Sequence, residues 1–370
     1  MKKSLIALAA LAAFGTASAQ SSVTISGKFG MSYVQPLGTE ATVKGKANLA
    51  VSDGDINFAA VEDLGGGLKA GANMALRVRG RENISAATTQ VITAATPPVA
   101  ATAQAYSVSA YSEVGRDATV FLSGSFGTLT AGAVEFGNGI SGRGFGGSNV
   151  SLATDLNNGG VLSANGYGNM LQYSSPVMSG LSVQLTRADS AGTIIGQTTL
   201  AATGRETALG INANILGLTY ANGPLTAGID STAYSGTTTI GGANSDRKRT
   251  RMSADYDFGF VKIGVGQEDN KGTATTGTYA GKQTAFGISA PITPALRVGL
   301  AYAKNSETAV IGVSTAGAVA KGSGISADYS FSKRTILNVS YATIARDDLA
   351  DNANYNKEGT QYRVRLMHSF

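Results

Sequence analysis

The chain has 370 residues, with 49 Gly, 7 Pro, no Cys and no Trp. Charged residues make up only 14% of it and hydrophobic ones 43%, a balance unlike the charge-rich, apolar-poor composition of disordered chains. Without cysteine there is no disulfide framework, thiolate metal site or cysteine nucleophile. The single histidine, His368, excludes a two-histidine metal helix and leaves one candidate for a Ser-His-Asp triad. A net charge of +5 is too weak to argue for nucleic acid.

Met1 to Ala19 carries Lys2 and Lys3, an apolar run from Leu5 to Phe14, and small residues ending Ala17-Ser18-Ala19. That pattern predicts a secretory signal cut before Gln20, since the run is too short for a membrane helix of ~20 residues. Residues 20–370 then form one domain, with no linker and no other stretch apolar enough to span a bilayer as a helix.

From Val23 the period is two. Val23, Ile25, Phe29, Met31 and Tyr33 share one parity, and Thr24, Ser26, Lys28, Gly30 and Ser32 share the other. In a strand these point to opposite faces. Leu68 to Arg81, Lys282 to Pro291, Leu296 to Lys304, Gly322 to Phe331, Thr335 to Ile344 and Tyr362 to Phe370 repeat the pattern. Each is close to the ~9–11 residues that a tilted strand needs to cross a bilayer. Short connections carry turn chemistry at 63–67, 124–127, 221–224 and 332–334. Long ones, rich in Gly, Ala, Thr, Ser and Asn, are expected at 82–104, 136–167, 190–204, 236–246, 269–281, 305–321 and 346–359. Short turns alternating with long loops are the plan of a transmembrane barrel, and the chain length divides into sixteen strands, enough to enclose an aqueous channel.

In such a barrel the apolar parity faces lipid and the polar parity faces water inside. Tyr33, Tyr173, Tyr256, Phe258, Tyr302, Tyr329, Phe331, Tyr341 and Phe370 sit near strand ends, as interfacial girdles require. The competing reading is a water-soluble β-sandwich, with the same apolar rows packed in a dry core.

Val61-Glu62-Asp63-Leu64-Gly65-Gly66-Gly67-Leu68-Lys69-Ala70, Leu122-Ser123-Gly124-Ser125-Phe126-Gly127-Thr128-Leu129-Thr130, Tyr220-Ala221-Asn222-Gly223-Pro224-Leu225, Tyr256-Asp257-Phe258-Gly259, Asp328 to Thr335 and the terminal Phe370 occur in that order. Together they resemble the turns and end of the trimeric general porins of β-proteobacterial and neisserial outer membranes. The resemblance covers the whole chain after the signal. It implies a homotrimer of sixteen-stranded antiparallel barrels surrounded by outer-membrane lipid and lipopolysaccharide, with the third long loop, about Phe136 to Gly168, folded inward as a constriction. It also implies that Phe370 is the residue read by the barrel assembly machinery. Arg143 and Asp155, with Glu135 at the entry, are the charges of that loop. Asp55, Ala133 and Gln172 stand where the family pattern leads one to expect basic wall residues, which weakens the case for strong anion preference.

Parity gives a separate estimate of what lines the pore. Arg77, Arg79 and Arg81 oppose Leu76 and Val78, and Arg247, Arg249 and Arg251 oppose Met252, Ala254 and Tyr256. Lys28, Lys69, Lys262, Arg297, Arg363 and Arg365 are likewise inward, as are Asp55, Asp255, Asp257, Glu268 and Asp328. Bases outnumber acids in this set, predicting a weak anion preference. The candidate constriction is Lys28, Asp55, Arg77, Arg79, Arg143, Asp155, Gln172 and Arg251.

No constellation for chemistry stands out. Gly142-Arg143-Gly144-Phe145-Gly146-Gly147 fits G-x-G-x-x-G, but no helical pattern follows it. Asp255/Asp257 and Asp347/Asp348 lack a companion base, Lys333-Arg334 reads as a turn, and His368 lies on the apolar parity. The expected function is a passive, water-filled channel for ions and small hydrophilic solutes, with no enzyme activity, metal or cofactor. A substrate-selective channel with a binding site at the third loop is the first alternative. A secreted adhesive β-protein without a pore is the second.

Overall fold

The computed structural model describes residues 22–35, 47–78, 114–136, 166–189, 211–236, 246–274, 277–308, 318–347 and 358–370. The expected signal segment, most of the long loops and the residues Arg79, Arg81, Arg143 and Asp155 lie outside them.

Sixteen strands follow one another: β1 (Ser22–Gln35), β2 (Asn48–Gly65), β3 (Leu68–Arg77), β4 (Val114–Gly124), β5 (Gly127–Phe136), β6 (Gly166–Ser174), β7 (Leu181–Asp189) and β8 (Ile211–Asn222). The second half comprises β9 (Leu225–Gly236), β10 (Asp246–Asp257), β11 (Lys262–Ala274), β12 (Gly277–Pro291), β13 (Leu296–Thr308), β14 (Ala318–Ser330), β15 (Thr335–Asp347) and β16 (Glu358–Ser369). Each strand pairs antiparallel with its sequence neighbours, and β16 pairs with β1 to close the barrel. Closure leaves no open edge, so the backbone amides of the wall can pair without water.

The wall is inside-out relative to a soluble protein. In β16, Tyr362, Val364 and Leu366 are exposed, as is Phe370 just after it, while Gln361 and Arg363 on the other parity are buried. Val23, Ile25 and Phe29 on β1, Leu300 and Tyr302 on β13, and Val339 and Tyr341 on β15 continue the exposed apolar face. Among the described residues the buried hydrophobics are Ala75, Ala188, Ala213, Ala285, Ala303 and Ile344, too small a set to form a core. The buried polar set is larger, including Asp55, Asp230, Thr232, Arg249, Arg251, Glu268, Asn338 and Arg363. The dry interior of a sandwich is therefore not there.

Aromatics mark both edges of the apolar band. Tyr33 and Tyr362 sit 6.3 Å apart toward the long loops, and Tyr256 and Phe258 sit 4.5 Å apart at the short turns. From Tyr362 to Phe370, β16 rises about 26 Å along its own axis. At a tilt of ~40° that is about 20 Å of height, near the hydrocarbon band of an outer-membrane barrel.

The short-turn rim is built from local side-chain caps. Gly65 and Gly259 each donate their amide to a carboxylate two residues earlier, Asp63 and Asp257, at 2.9 and 2.8 Å. Thr293 and Ser332 cap the next two turns in the same way. Gly65, Gly66 and Gly67 all have positive φ, which explains three consecutive glycines at the β2–β3 turn.

Three expectations are corrected at the opposite rim. The strand predicted to run to Arg81 ends at Arg77. The long loop predicted at 269–281 is mostly strand: β11 and β12 stay paired to Ala274 and Gly277, leaving a two-residue connection. The residues there are as polar as those of a loop, because a strand that has left the membrane needs no apolar face. A further long connection, 36–47 between β1 and β2, was not anticipated.

Candidate functional site: the inner wall

The inward parity of β1, β2, β3 and β16 carries a chain of alternating charge. Arg77 Nε lies 3.4 Å from Asp55 Oδ1, and Lys28 Nζ lies 3.6 Å from Asp55 Oδ2. The same Lys28 Nζ lies 3.1 Å from Asp53 Oδ1, whose second oxygen lies 3.4 Å from Arg365 Nη1. Register explains the first half, because Lys28, Asp55 and Arg77 stand directly opposite one another. The second half crosses the closing seam between β1 and β16.

Asp53 was missed by strand parity, and the reason is a β-bulge. Leu49, Val51, Asp53 and Asp55 share one parity in the sequence, yet the first two pair with Tyr33 and Met31 on the apolar face. The register slips by one residue between Gly30 and Met31, leaving Ser52 as the extra residue on β2. The slip turns Asp53 and Asp55 inward. Gly30, directly opposite Asp53, clears the way: a Cβ there would lie 2.9 Å from Asp53 Oδ2. The readable signal was two apolar residues followed by two acids on one parity.

Exposure within this cluster is uneven. The side chains of Lys28 and Arg77 are 41% and 31% exposed, while those of Asp53 and Asp55 are 8% and 7% exposed. Water in the channel therefore meets mainly cationic heads, with the carboxylates set behind them.

A second cluster occupies β9 to β11. Arg251 Nε donates to Asp230 Oδ1 at 2.8 Å with both side chains buried, and Glu268 follows Arg251 in the same row. Arg249, next on the inward parity, places its guanidinium 5.3 Å from the centre of the Tyr234 ring. Asn270 donates to Glu268 Oε1 at 3.0 Å. Asp230 was also missed; it lies in a Gly- and Thr-rich strand, and only the row it shares with Arg251 reveals it.

Of the predicted constriction residues, the structure brings Lys28, Asp55 and Arg77 together. Arg251 belongs to the second cluster. Gln172 is inward on β6, donating to Thr186 Oγ1 at 2.9 Å. Ala133 pairs with Ala118 and Asn169, on the parity of Leu129 and Leu171, so it is no wall residue of the pore. Adding Asp53, Asp63, Asp117 and Asp230 brings inward acids close to the number of inward bases along the described wall, which narrows the excess of bases counted from the sequence. His368 stays on the outward face, with Nδ1 2.9 Å from Thr335 Oγ1. The described residues hold no group of acids and histidine with metal-site spacing.

A closed barrel with an apolar exterior and a charged, polar interior is a membrane-spanning channel. Residues 7–349 match the family model described as Gram-negative porin, and the chain belongs to that family. It is 29% identical over 332 residues to outer membrane porin protein 32 of Delftia acidovorans, covering 84% of this chain and 82% of that one. Among solved structures it is similar to the anion-selective porin from Comamonas acidovorans, with a TM-score of 0.65 and 22% identity over 95% of this chain and 100% of that one. It is similar too to the trimer form of OmpT, an outer membrane protein of Vibrio cholerae, with a TM-score of 0.60 and 9% identity over 95% and 99%. The chain is an outer-membrane porin, and its neighbours are channels rather than enzymes.

Proposed function

We propose that this porin passes ions and small hydrophilic solutes by passive diffusion with a weak preference for anions, working as a homotrimer. The observation that carries the preference is the exposure gradient at Lys28, Asp53, Asp55 and Arg77. Three cations share two carboxylates in that cluster, and the cations are the groups in contact with water. The bias is weak because the acids lie within a few ångströms of them. Likeness to a porin named as anion-selective supports the same direction.

Charged walls act on selectivity only where the bore is narrow, because free charges are screened beyond ~8 Å at physiological salt. The third loop, with Arg143 and Asp155, is assigned that narrowing, and Phe370 the role of assembly signal. The test is reversal potential across a planar bilayer in a salt gradient. Wild type should favour chloride over potassium modestly, and Arg77→Glu should move the potential toward cation preference. Unchanged selectivity in Arg77→Glu and Arg79→Glu would take this wall out of the selectivity mechanism.

A further inference from the structure

The outward parity of the wall is apolar over most of its height. Toward the long-loop rim, however, each of five consecutive strands carries one exposed lysine on that same parity: Lys248 on β10, Lys271 on β11, Lys282 on β12, Lys304 on β13 and Lys321 on β14. Their outward direction follows from strand mates an even number of residues away, Met252, Val265, Phe286, Tyr302 and Ile325, all exposed apolar residues.

The arrangement is unfavourable by itself. Lys248 stands directly opposite Lys271, and Lys304 directly opposite Lys321. Like charges in register destabilise a sheet. Lys282 lies two residues off the row of Lys271 and two off the row of Lys304, within diagonal reach of both. No ion pair is formed by these five among the described residues. Asp269 lies on this face opposite Lys282, and its Oδ2 accepts from Gln267 Nε2 at 2.6 Å.

The five lysines are also level with the membrane. The register row through Thr24, near the short-turn end of β1, climbs to Gly272 near the long-loop end of β11. A line parallel to the bilayer must therefore fall relative to the rows by about one residue per strand, as barrel stagger requires. From Lys248 to Lys321 the lysines fall four residues over four strand steps, so they form a horizontal belt. Its height is set by Tyr302, two residues or about 7 Å of strand below Lys304. That is the edge of the hydrocarbon, where long lysine stems lie on apolar surface and their ammonium groups reach polar head groups.

We propose that this belt docks the phosphorylated head groups of the outer-leaflet glycolipid. The long-loop rim faces the cell exterior. A level row of ammonium groups at head-group depth fits phosphates carried on a lipid, and bound phosphates remove the repulsion within each lysine pair. A second barrel fits less well, because lysine is depleted in protein interfaces and would meet like charge there.

The test uses the full-length protein in detergent, titrated with bis-phosphorylated lipid A and, separately, with chemically dephosphorylated lipid A, bound lipid being counted by native mass spectrometry. Wild type should bind the phosphorylated form at least tenfold more tightly, and inorganic phosphate at equal concentration should not displace it. Lys271→Gln/Lys304→Gln/Lys321→Gln should lose that margin with single-channel conductance unchanged, which reports an intact barrel. The corresponding triple Arg variant should keep it, and Lys333→Gln/Arg334→Gln at the other rim should behave as wild type. Equal binding of both lipids by wild type, or an undiminished margin in the Gln triple, overturns the proposal. So does displacement by inorganic phosphate, which would make the belt a free-anion site, or loss of the oligomer in the Gln triple with lipid binding retained, which would make it a subunit interface.

Discussion

Gly27 and Phe370 exchange two backbone hydrogen bonds, 3.0 and 2.9 Å, and the Phe370 ring occupies the space beside the missing side chain of Gly27. A Cβ at Gly27 would lie 2.6 Å from the ring and 2.5 Å from the backbone oxygen of Asp55. The last residue of the chain is thus pinned onto the first strand at the closing seam. Gly27→Ala should destabilise the barrel by about 1–3 kcal/mol through overpacking. Urea unfolding in lipid vesicles measures it, and Phe370→Ala should recover part of the loss in the double variant. Full additivity of the two substitutions would mean that ring and glycine are not coupled.

Deletion of Ser52 tests the bulge. Without the extra residue, either Asp53 and Asp55 turn to lipid or Leu49 and Val51 turn to the channel, since a one-residue slip reverses every side chain. The deletion variant should fail to reach the protease-resistant, heat-modifiable folded form, whereas Ser52→Ala should fold, losing only the 3.1 Å hydrogen bond to Asp53. A deletion variant that folds and conducts like wild type would show that the slip is absorbed elsewhere.

The same bulge marks the limit of what the sequence reveals. Alternation over Val23 to Tyr33 and Tyr362 to Phe370 is enough to read a barrel, because every misplaced charge on the lipid face carries a cost. Where β2 changes parity, the apolar signal of Leu49 and Val51 and the acidic signal of Asp53 and Asp55 contradict one another, and a period-two reading discards one. Asp230 was hidden for a different reason. Its meaning depends on Arg251, twenty-one residues later, and cross-strand register is a property of pairing that one strand does not contain. The lysine belt is hidden in the same way: each lysine alone reads as loop edge, and only five strands in register make a pattern. The length of β11 and β12 escaped because strands beyond the bilayer no longer alternate in hydrophobicity.

Asp53→Asn should strengthen anion preference. The substitution keeps the shape but leaves Lys28 and Arg365 facing a neutral amide in place of a carboxylate. One unit charge at ~4 Å in water is worth about 1 kcal/mol, so the chloride-to-potassium permeability ratio should rise by up to about fivefold at low salt. The change should shrink in 1 M salt, where screening acts within ~3 Å. Reversal potentials at the two ionic strengths measure both effects. A shift toward cations, or one independent of salt, would contradict the arrangement of exposed cations over recessed acids.

Arg251→Ala addresses the opposite wall. Asp230 is 4% exposed at its side chain and its Oδ1 accepts from Arg251 Nε at 2.8 Å. Removing one partner of a buried pair leaves an uncompensated charge, which typically costs about 3–5 kcal/mol, whereas replacing both partners together is often near neutral. Unfolding in lipid vesicles should therefore rank Arg251→Ala well below wild type, with Arg251→Ala/Asp230→Ala recovering most of the difference. Glu268, in register beside Arg251 and fully buried, loses the same neighbour in the single and the double variant, so the difference between the two variants reports Asp230 alone. Equal stability of the single and double variants would mean that Asp230 is held by its remaining neighbours and not by the guanidinium.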